Sequence, residues 1–232
     1  MIKVRKAGER GVTRIDWLLS YHTFSFSDYH DPKHMGFRAL RVINEDEIAP
    51  ESGFGTHAHH DMEIITYVLS GELTHRDSMG NGSAIRPGDV QRMTAGKGVT
   101  HSEVNYSNKE PVHLLQIWIL PDTMGLDPSY EQKAFSSEQK RNKLCLVVSG
   151  SAKSNAVRIH QDVELFAADL GAEKSVEHVL GRGRHTWLQL TRGSVRVNGE
   201  LLRKGDGAAV SNEKGLMIQA IERSEFLLFD LA

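Results

Sequence analysis

The sequence predicts an all-β chain built as two related barrels in tandem, and three observations lead there. Short apolar runs rich in β-branched and aromatic residues recur along the 232 residues, with turn-forming clusters between them. Helical periodicity is weak throughout. One block of strands and turns also occurs twice.

The strand signals are ALRVI (39–43), EIITYVL (63–69), HLLQIWIL (113–120), KLCLVV (143–148), TWLQL (186–190), SVRV (194–197) and FLLFDL (226–231). Between them lie SMGNGS, RPGD, AGKG, GRGR and RKGDG, whose Gly, Pro, Asp and Asn are residues that tight turns require. The best helical stretch is SYEQKAFSSEQKRN (129–142), which carries few apolar residues. Many short strands with regular turns give a sandwich or barrel.

The repeat sets YVLSGELTHRDSMGN and IRPGDVQRMTAG against LQLTRGSVRVNG and LLRKGDGAAVSN. Each copy has an apolar strand, a Gly turn (Gly71, Gly193), a second strand, and a Gly-Asp turn (Gly88–Asp89, Gly205–Asp206). The polar stretch PDTMGLDPSYEQKAFSSEQKRN holds two of the six prolines and serves as the crossover. The expected division is therefore 1–125 for the first barrel and 126–232 for the second.

Composition excludes several function classes. The net charge is -2, and Lys and Arg are scattered, so no basic stripe marks a nucleic-acid surface. A single cysteine, Cys145, cannot close an internal disulfide, which suits a reducing compartment. The start, MIKVRKAGERG, lacks an apolar signal core, and no run approaches the ~20 apolar residues of a membrane span. A soluble, cytoplasmic protein without membrane or direct nucleic-acid contact is expected.

Two segments carry chemistry. HAHHDME (57–63) and THSEVN (100–105) each hold potential metal ligands two residues apart: His57 with His59, and His101 with Glu103. On a strand, residues two apart share a face, so two such strands in one barrel bring four ligands into a small interior volume. Burying those groups without a partner is costly, and a divalent cation removes the difficulty. Gly53, Gly55, Gly96 and Gly98 stand before the two pairs, where they let the backbone bend into the ligand strands. By period-two counting Glu63 shares the face of His57 and His59, so parity alone leaves Glu63 and Glu103 as competing fourth ligands. His60 points away from the pair. His75, His113 and His178 read as core or surface histidines, and spacing gives His22, His30 and His34 no role. The second copy offers SVEHVLGRGRHTW and EKGLMIQ, without either pair, so only the first barrel is equipped for a metal.

HAHHDME resembles the first cupin motif, HxHxxxE, and GVTHSEVN resembles the second, GxxHxxxN, with Gly98, His101 and Asn105. The chain resembles the pirin family of bicupins more closely still. The matching stretches are YHTFSFSDYHDP (21–32), MGFRALRVIN (35–44), GFGTHAHHDMEIITYVLSGELTHRDSMGN (53–81), AGKGVTHSEVN (95–105), HLLQIWILP (113–121) and the closing FLLFDL. The resemblance spans essentially the whole chain and is densest over 20–121. Seven residues rather than six separate Glu63 from Gly71, and position 96 is Gly, which favours the pirin pattern over other cupins.

The resemblance implies two cupin (jelly-roll) barrels, of which only the N-terminal one binds metal. Carried over, the ligands are His57, His59, His101 and Glu103, with Glu63 standing behind them. It implies a metal-dependent quercetin 2,3-dioxygenase that opens the central ring of a flavonol with O2 and releases CO. Glu103 is then base as well as ligand, and Fe(II) is the first metal expected, with Zn, Ni, Co, Cu or Mn also fitting the donor set. Animal pirins imply a second role, a metal-dependent, redox-sensitive regulator acting through a protein partner, and fold and ligand set do not decide between the two.

Overall fold

The computed structural model describes residues 1–151 and 155–232. The chain forms two compact units, one of residues 11–134 with 157–161, the other of residues 1–10, 135–156 and 162–232.

In the first unit a seven-stranded antiparallel sheet runs in the order Ser129–Ala134, Asp89–Thr94, Glu63–Ser70, Val112–Ile119, Leu40–Ile48, Leu18–His22 and Gly11–Ile15. A four-stranded sheet, Ser52–His59, Val99–Asn105, Leu73–Asp77 and Gly82–Ile85, packs against it. Side chains alternate along each strand, so one face of each sheet is apolar and buried. Leu18, Ile48, Val68, Val112 and Leu114 of the larger sheet meet Leu73 and Ile85 of the smaller in one core cluster. A second cluster, Ile64, Met93, Ala95 and Val99, closes the end nearer the His-rich strand.

The second unit repeats the plan. Its larger sheet holds Ile2–Arg5, Gly207–Val210, His185–Arg192, Ser224–Leu231, Val163–Leu170 and Cys145–Ser149 in that order. The smaller holds Ser175–Val179, Gly215–Ala220, Ser194–Val197 and Glu200–Arg203. The strands that correspond to the two ligand strands place Leu216 and Ile218, with partly buried Val176, in a wholly apolar core. Gly71 and Gly193 occupy matching turns with φ of 78° and 80°. At both, a Cβ would sit within 2.6 Å of a backbone oxygen, so the repeated glycine is demanded by shape as well as by dihedral.

The all-β, two-barrel architecture expected from the sequence is the one the chain adopts. The compact units differ from the contiguous division 1–125 and 126–232 at both ends. Ile2–Arg5 adds an edge strand beside Gly207–Val210 in the second unit. Residues 157–161 belong to the first unit, where Arg92 Nε donates to the Arg158 carbonyl at 2.8 Å and Gln161 Nε2 to the Leu120 carbonyl at 2.8 Å.

Of the best helical stretch, 129–142, only Ser137–Lys140 is helical, capped by Ser136. Ser129–Ala134 is instead a strand paired along its length with Asp89–Thr94. Its alternation lets Tyr130 and Gln132 reach inward, where Gln132 Nε2 donates to the Ala84 carbonyl at 3.0 Å. Tertiary pairing overrides a polar composition that favours helix. Among the described residues no helix is long and apolar enough to cross a membrane.

Candidate metal centre

The two ligand strands are neighbours. Val99–Asn105 runs antiparallel to Ser52–His59 with His101 opposite His57, and then the register slips, so that Glu103 lies opposite Phe54. The slip is a β-bulge, which re-aims side chains at that level of the barrel. Gly53 permits it by closeness rather than by bending, since a Cβ there would stand 2.2 Å from the Glu103 carbonyl oxygen. The expected turn before the first pair is therefore a close strand crossing inside the sheet.

The rings of His57, His59 and His101 converge, with centroids 4.5–4.9 Å apart. One ring nitrogen of each lies within 4.8 Å of the other two. His57 Nδ1 is 2.8 Å from the Gly55 carbonyl, which can only accept, so Nδ1 carries the proton and Nε2 is bare. That Nε2 is 3.0 Å from His101 Nε2. Two nitrogens bonded to one cation at about 2.1 Å and at right angles to each other stand about 3 Å apart. Burial, then the neighbouring rings, push His59 down to about 4 and His101 down to about 3. His59 and His101 therefore stay neutral and ligand-ready at ordinary pH.

Behind His101 lies a relay that its strand neighbours supply. Burial opposes ionisation of Asp77, but hydrogen bonds from Asn81 and His75 outweigh it and hold the carboxyl below its ordinary range. Asp77 Oδ2 thus accepts from His75 Nε2–H at 3.2 Å. With its Nε2 hydrogen on Asp77, His75 places Nδ1 3.4 Å from His101 Nδ1, where it accepts from His101. The chain of bonds fixes the His101 tautomer with Nε2 free toward His57. Replacing His75 by Phe is expected to keep the fold and lower metal affinity by about 10- to 100-fold, read by competition with a chromophoric chelator.

Glu103 is buried, and burial raises its carboxyl above the ordinary range, although bonds from Gln116 oppose the shift. Gln116 Nε2 donates to both oxygens, at 3.0 and 2.7 Å, and Thr66 Oγ1 donates to Oε1 at 3.3 Å. Among the described residues, Glu103 groups with His101 and His75 rather than with all three converging imidazoles. His75 is fully buried and lies off the cavity that His57, His59, His101 and Glu103 line.

Glu63 is elsewhere. The strand ends at His59, Asp61 turns through a φ of 47°, and Glu63 begins the next strand in the other sheet. Its oxygens take Thr94 Oγ1 at 3.1 Å and His160 Nδ1 at 3.2 Å, with Arg92 Nε at 3.9 Å. Counting by twos from His59 fails because the chain changes sheets. Glu63→Gln is expected to cost about 1–3 kcal/mol of stability in urea unfolding, with metal content unchanged.

The four residues open into a cavity of about 290 Å³ in the first unit. Its apolar walls are Phe26, Phe54, Ile64 and Trp118, and the Trp118 ring meets His59 edge-on with centroids 4.9 Å apart. A polar floor adds Ser20, His22, Asn44, Asp46 and Gln116.

With this geometry in hand, comparison with known proteins is decisive. The Pirin family model matches residues 3–119, and the model of the quercetinase C-terminal cupin domain matches residues 146–231. The chain belongs to the pirin family. A quercetin 2,3-dioxygenase of Escherichia coli K12 is 47% identical over 231 residues, covering 100% of this chain and 99% of that protein. A pirin-like protein of Caulobacter vibrioides is 42% identical over 93% of each chain. The crystal structure of the bacterial pirin YhhW from Escherichia coli in complex with nickel(II) superposes with a TM-score of 0.95 at 46% identity. It covers 100% of this chain and 99% of that one.

In this pirin, spacing along the strands points to the three converging imidazoles and Glu103 but not to their supports. His75 lies directly opposite Glu103 across the sheet, a cross-strand relation that no local spacing reveals. His22, given no role by spacing, lines the cavity, with Nδ1 2.8 Å from Asn44 Oδ1 and Nε2 2.8 Å from Thr13 Oγ1. His113 and His178 pair with Glu45 at 3.0 Å and Asp230 at 2.6 Å.

Proposed function

We propose that this pirin is a metal-dependent dioxygenase that opens the central ring of a flavonol such as quercetin with O2 and releases CO. One observation carries the reading. Three converging imidazoles stand at the wall of an apolar cavity that the buried carboxyl of Glu103 also lines, and the cavity is wide enough for flat rings. The likeness to the Escherichia coli quercetin 2,3-dioxygenase supports the same chemistry.

We assign the metal ligands as His57, His59, His101 and Glu103. Three neutral imidazoles and one carboxylate around a divalent ion leave one positive charge, which favours an ionised enol oxygen. A bound transition metal supplies Lewis acidity toward the substrate's 3-hydroxyl and a route for its electrons to O2. Iron(II) is the ion to test first, and nickel(II) the second because the related YhhW holds it.

The protein's own residues do the rest. Burial makes Glu103 a stronger base than an exposed glutamate, so it takes the 3-hydroxyl proton. Gln116, bonded to both of its oxygens, keeps the carboxyl aimed while the proton arrives. Trp118, Phe26, Phe54 and Ile64 hold the rings and displace water from the reacting carbon. Oxygen uptake by the iron(II)- and nickel(II)-loaded proteins with quercetin, beside a chelator-stripped control, tests the reading. Metal-dependent uptake matched by flavonol loss and CO release supports it, and full metal occupancy with no uptake overturns it.

A further inference from the structure

The cavity holds one acidic group that the scheme above does not use. Asp46 lines it, is only 2% exposed, and leaves its Oδ1 without a hydrogen-bond partner. Ser20, directly opposite on the neighbouring strand, supplies the carboxyl's side-chain hydrogen bond. Unpaired buried oxygens are rare because they are costly, and they concentrate where a ligand completes them.

Strand register fixes where this group stands. On the interior face of the larger sheet, Thr66, Gln116, Asn44 and His22 form one cross-strand row. Gln116 in that row holds Glu103, and His22 is bonded to Asn44, so the row is internally satisfied. The row on one side of it carries Ile64 and Trp118, beside His59. The row on the other side carries Val68, Leu114, Asp46 and Ser20. Successive rows on one face are about 7 Å apart. Asp46 therefore lies about one row beyond the anchor of Glu103, at the far side of the cavity from His59, a span that a fused two-ring aromatic covers.

We propose that Asp46, held by Ser20, recognises a second hydroxyl of the substrate, so that the cavity selects aromatic enols carrying a hydroxyl donor at the end remote from the imidazoles. The inference rests on the reading that this cavity is the substrate site, and it names the substrate class more narrowly. An aromatic lacking that hydroxyl leaves the carboxyl unpaired beneath it and loses the bond. A site built around a buried acceptor rejects an analogue that lacks the matching donor, so this one hydrogen bond discriminates strongly.

Binding rather than turnover tests this. The nickel(II)-loaded protein is titrated by tryptophan fluorescence with quercetin, which carries several ring hydroxyls, and with 3-hydroxyflavone, which keeps only the enol. Phenol and anisole form a second pair. The wild-type protein is expected to bind quercetin at least about tenfold more tightly than 3-hydroxyflavone. In Asp46→Ala that ratio falls toward one while 3-hydroxyflavone affinity is retained, and Asp46→Asn, which keeps a carbonyl acceptor, restores part of it. Asp46→Ser replaces the Ala variant if circular dichroism shows that the latter is misfolded. A ratio unchanged in Asp46→Ala overturns the proposal. If the wild type binds no flavonol, the flavonol reading fails and the phenol pair decides. A phenol preference abolished in Asp46→Ala upholds the role of Asp46, whereas an unchanged preference, or binding of neither compound, overturns it.

Discussion

His101→Ala is expected to remove both metal and turnover. His101 is the residue on which every part of the centre converges, since Nε2 lies 3.0 Å from His57 and Nδ1 lies 3.4 Å from His75. Its loss leaves His57 and His59 on one strand, with Glu103 across the bulge, and cuts the Asp77–His75 relay off from the metal. Outer partners of a ligand alone are worth about 10- to 100-fold in affinity. Loss of the ligand together with its partner should therefore exceed about 100-fold. Metal analysis after dialysis against a weak chelator reads the affinity, and oxygen uptake with quercetin reads the chemistry. His113→Ala is the control, because His113 pairs with Glu45 and lies outside the converging group. Undiminished turnover in His101→Ala would sink the scheme, because no remaining arrangement on these strands supplies three converging imidazoles.

The barrels and the imidazoles were legible in the sequence for a simple reason. Alternation along a strand is a local property, and the repeated Gly turns mark where strands stop. Glu63 shows where this logic ends. The parity that joins His57 to His59 is genuine within one strand, but Asp61 turns the chain into the other sheet and resets it. His75 shows a second limit, since it earns its place by facing Glu103 and His101 across a neighbouring strand. The run NEDEI (44–48) shows a third, because nothing local marks which of the three consecutive acids Glu45, Asp46 and Glu47 is buried. In the fold they continue the strand Leu40–Ile48, with Glu45 and Asp46 buried and only Glu47 exposed. Glu45 lies 3.0 Å from His113 Nε2, and Asp46 lines the cavity. Composition cannot announce a buried acid whose partner is another strand or a ligand.

That buried acid gives the second large effect. Burial, with Glu103 and Glu45 adding to it against the Ser20 bond, pushes the Asp46 carboxyl from 3.8 up to about 7. Between those values the folded chain keeps a proton that the unfolded chain has released. Fewer protons bound in the unfolded state means that stability falls as pH rises through this window, and the loss is complete just above pH 7. At about 1.4 kcal/mol per unit the full penalty is about 4 kcal/mol, of which about 2–3 kcal/mol develops between pH 5 and pH 8. Asn at this position has no proton to lose. Asp46→Asn should therefore gain about 2–3 kcal/mol over the wild type between pH 5 and pH 8 in urea unfolding of the metal-free protein. His59 and His101, whose shifts are downward, make stability rise with pH in a lower window. Their contribution is shared by both proteins and cancels in the comparison. Parallel pH profiles for the two proteins would show that Asp46 is not held in the protonated form. A gain that develops between pH 5 and pH 8, together with weaker binding of hydroxylated aromatics, would identify a residue kept for recognition at the expense of stability.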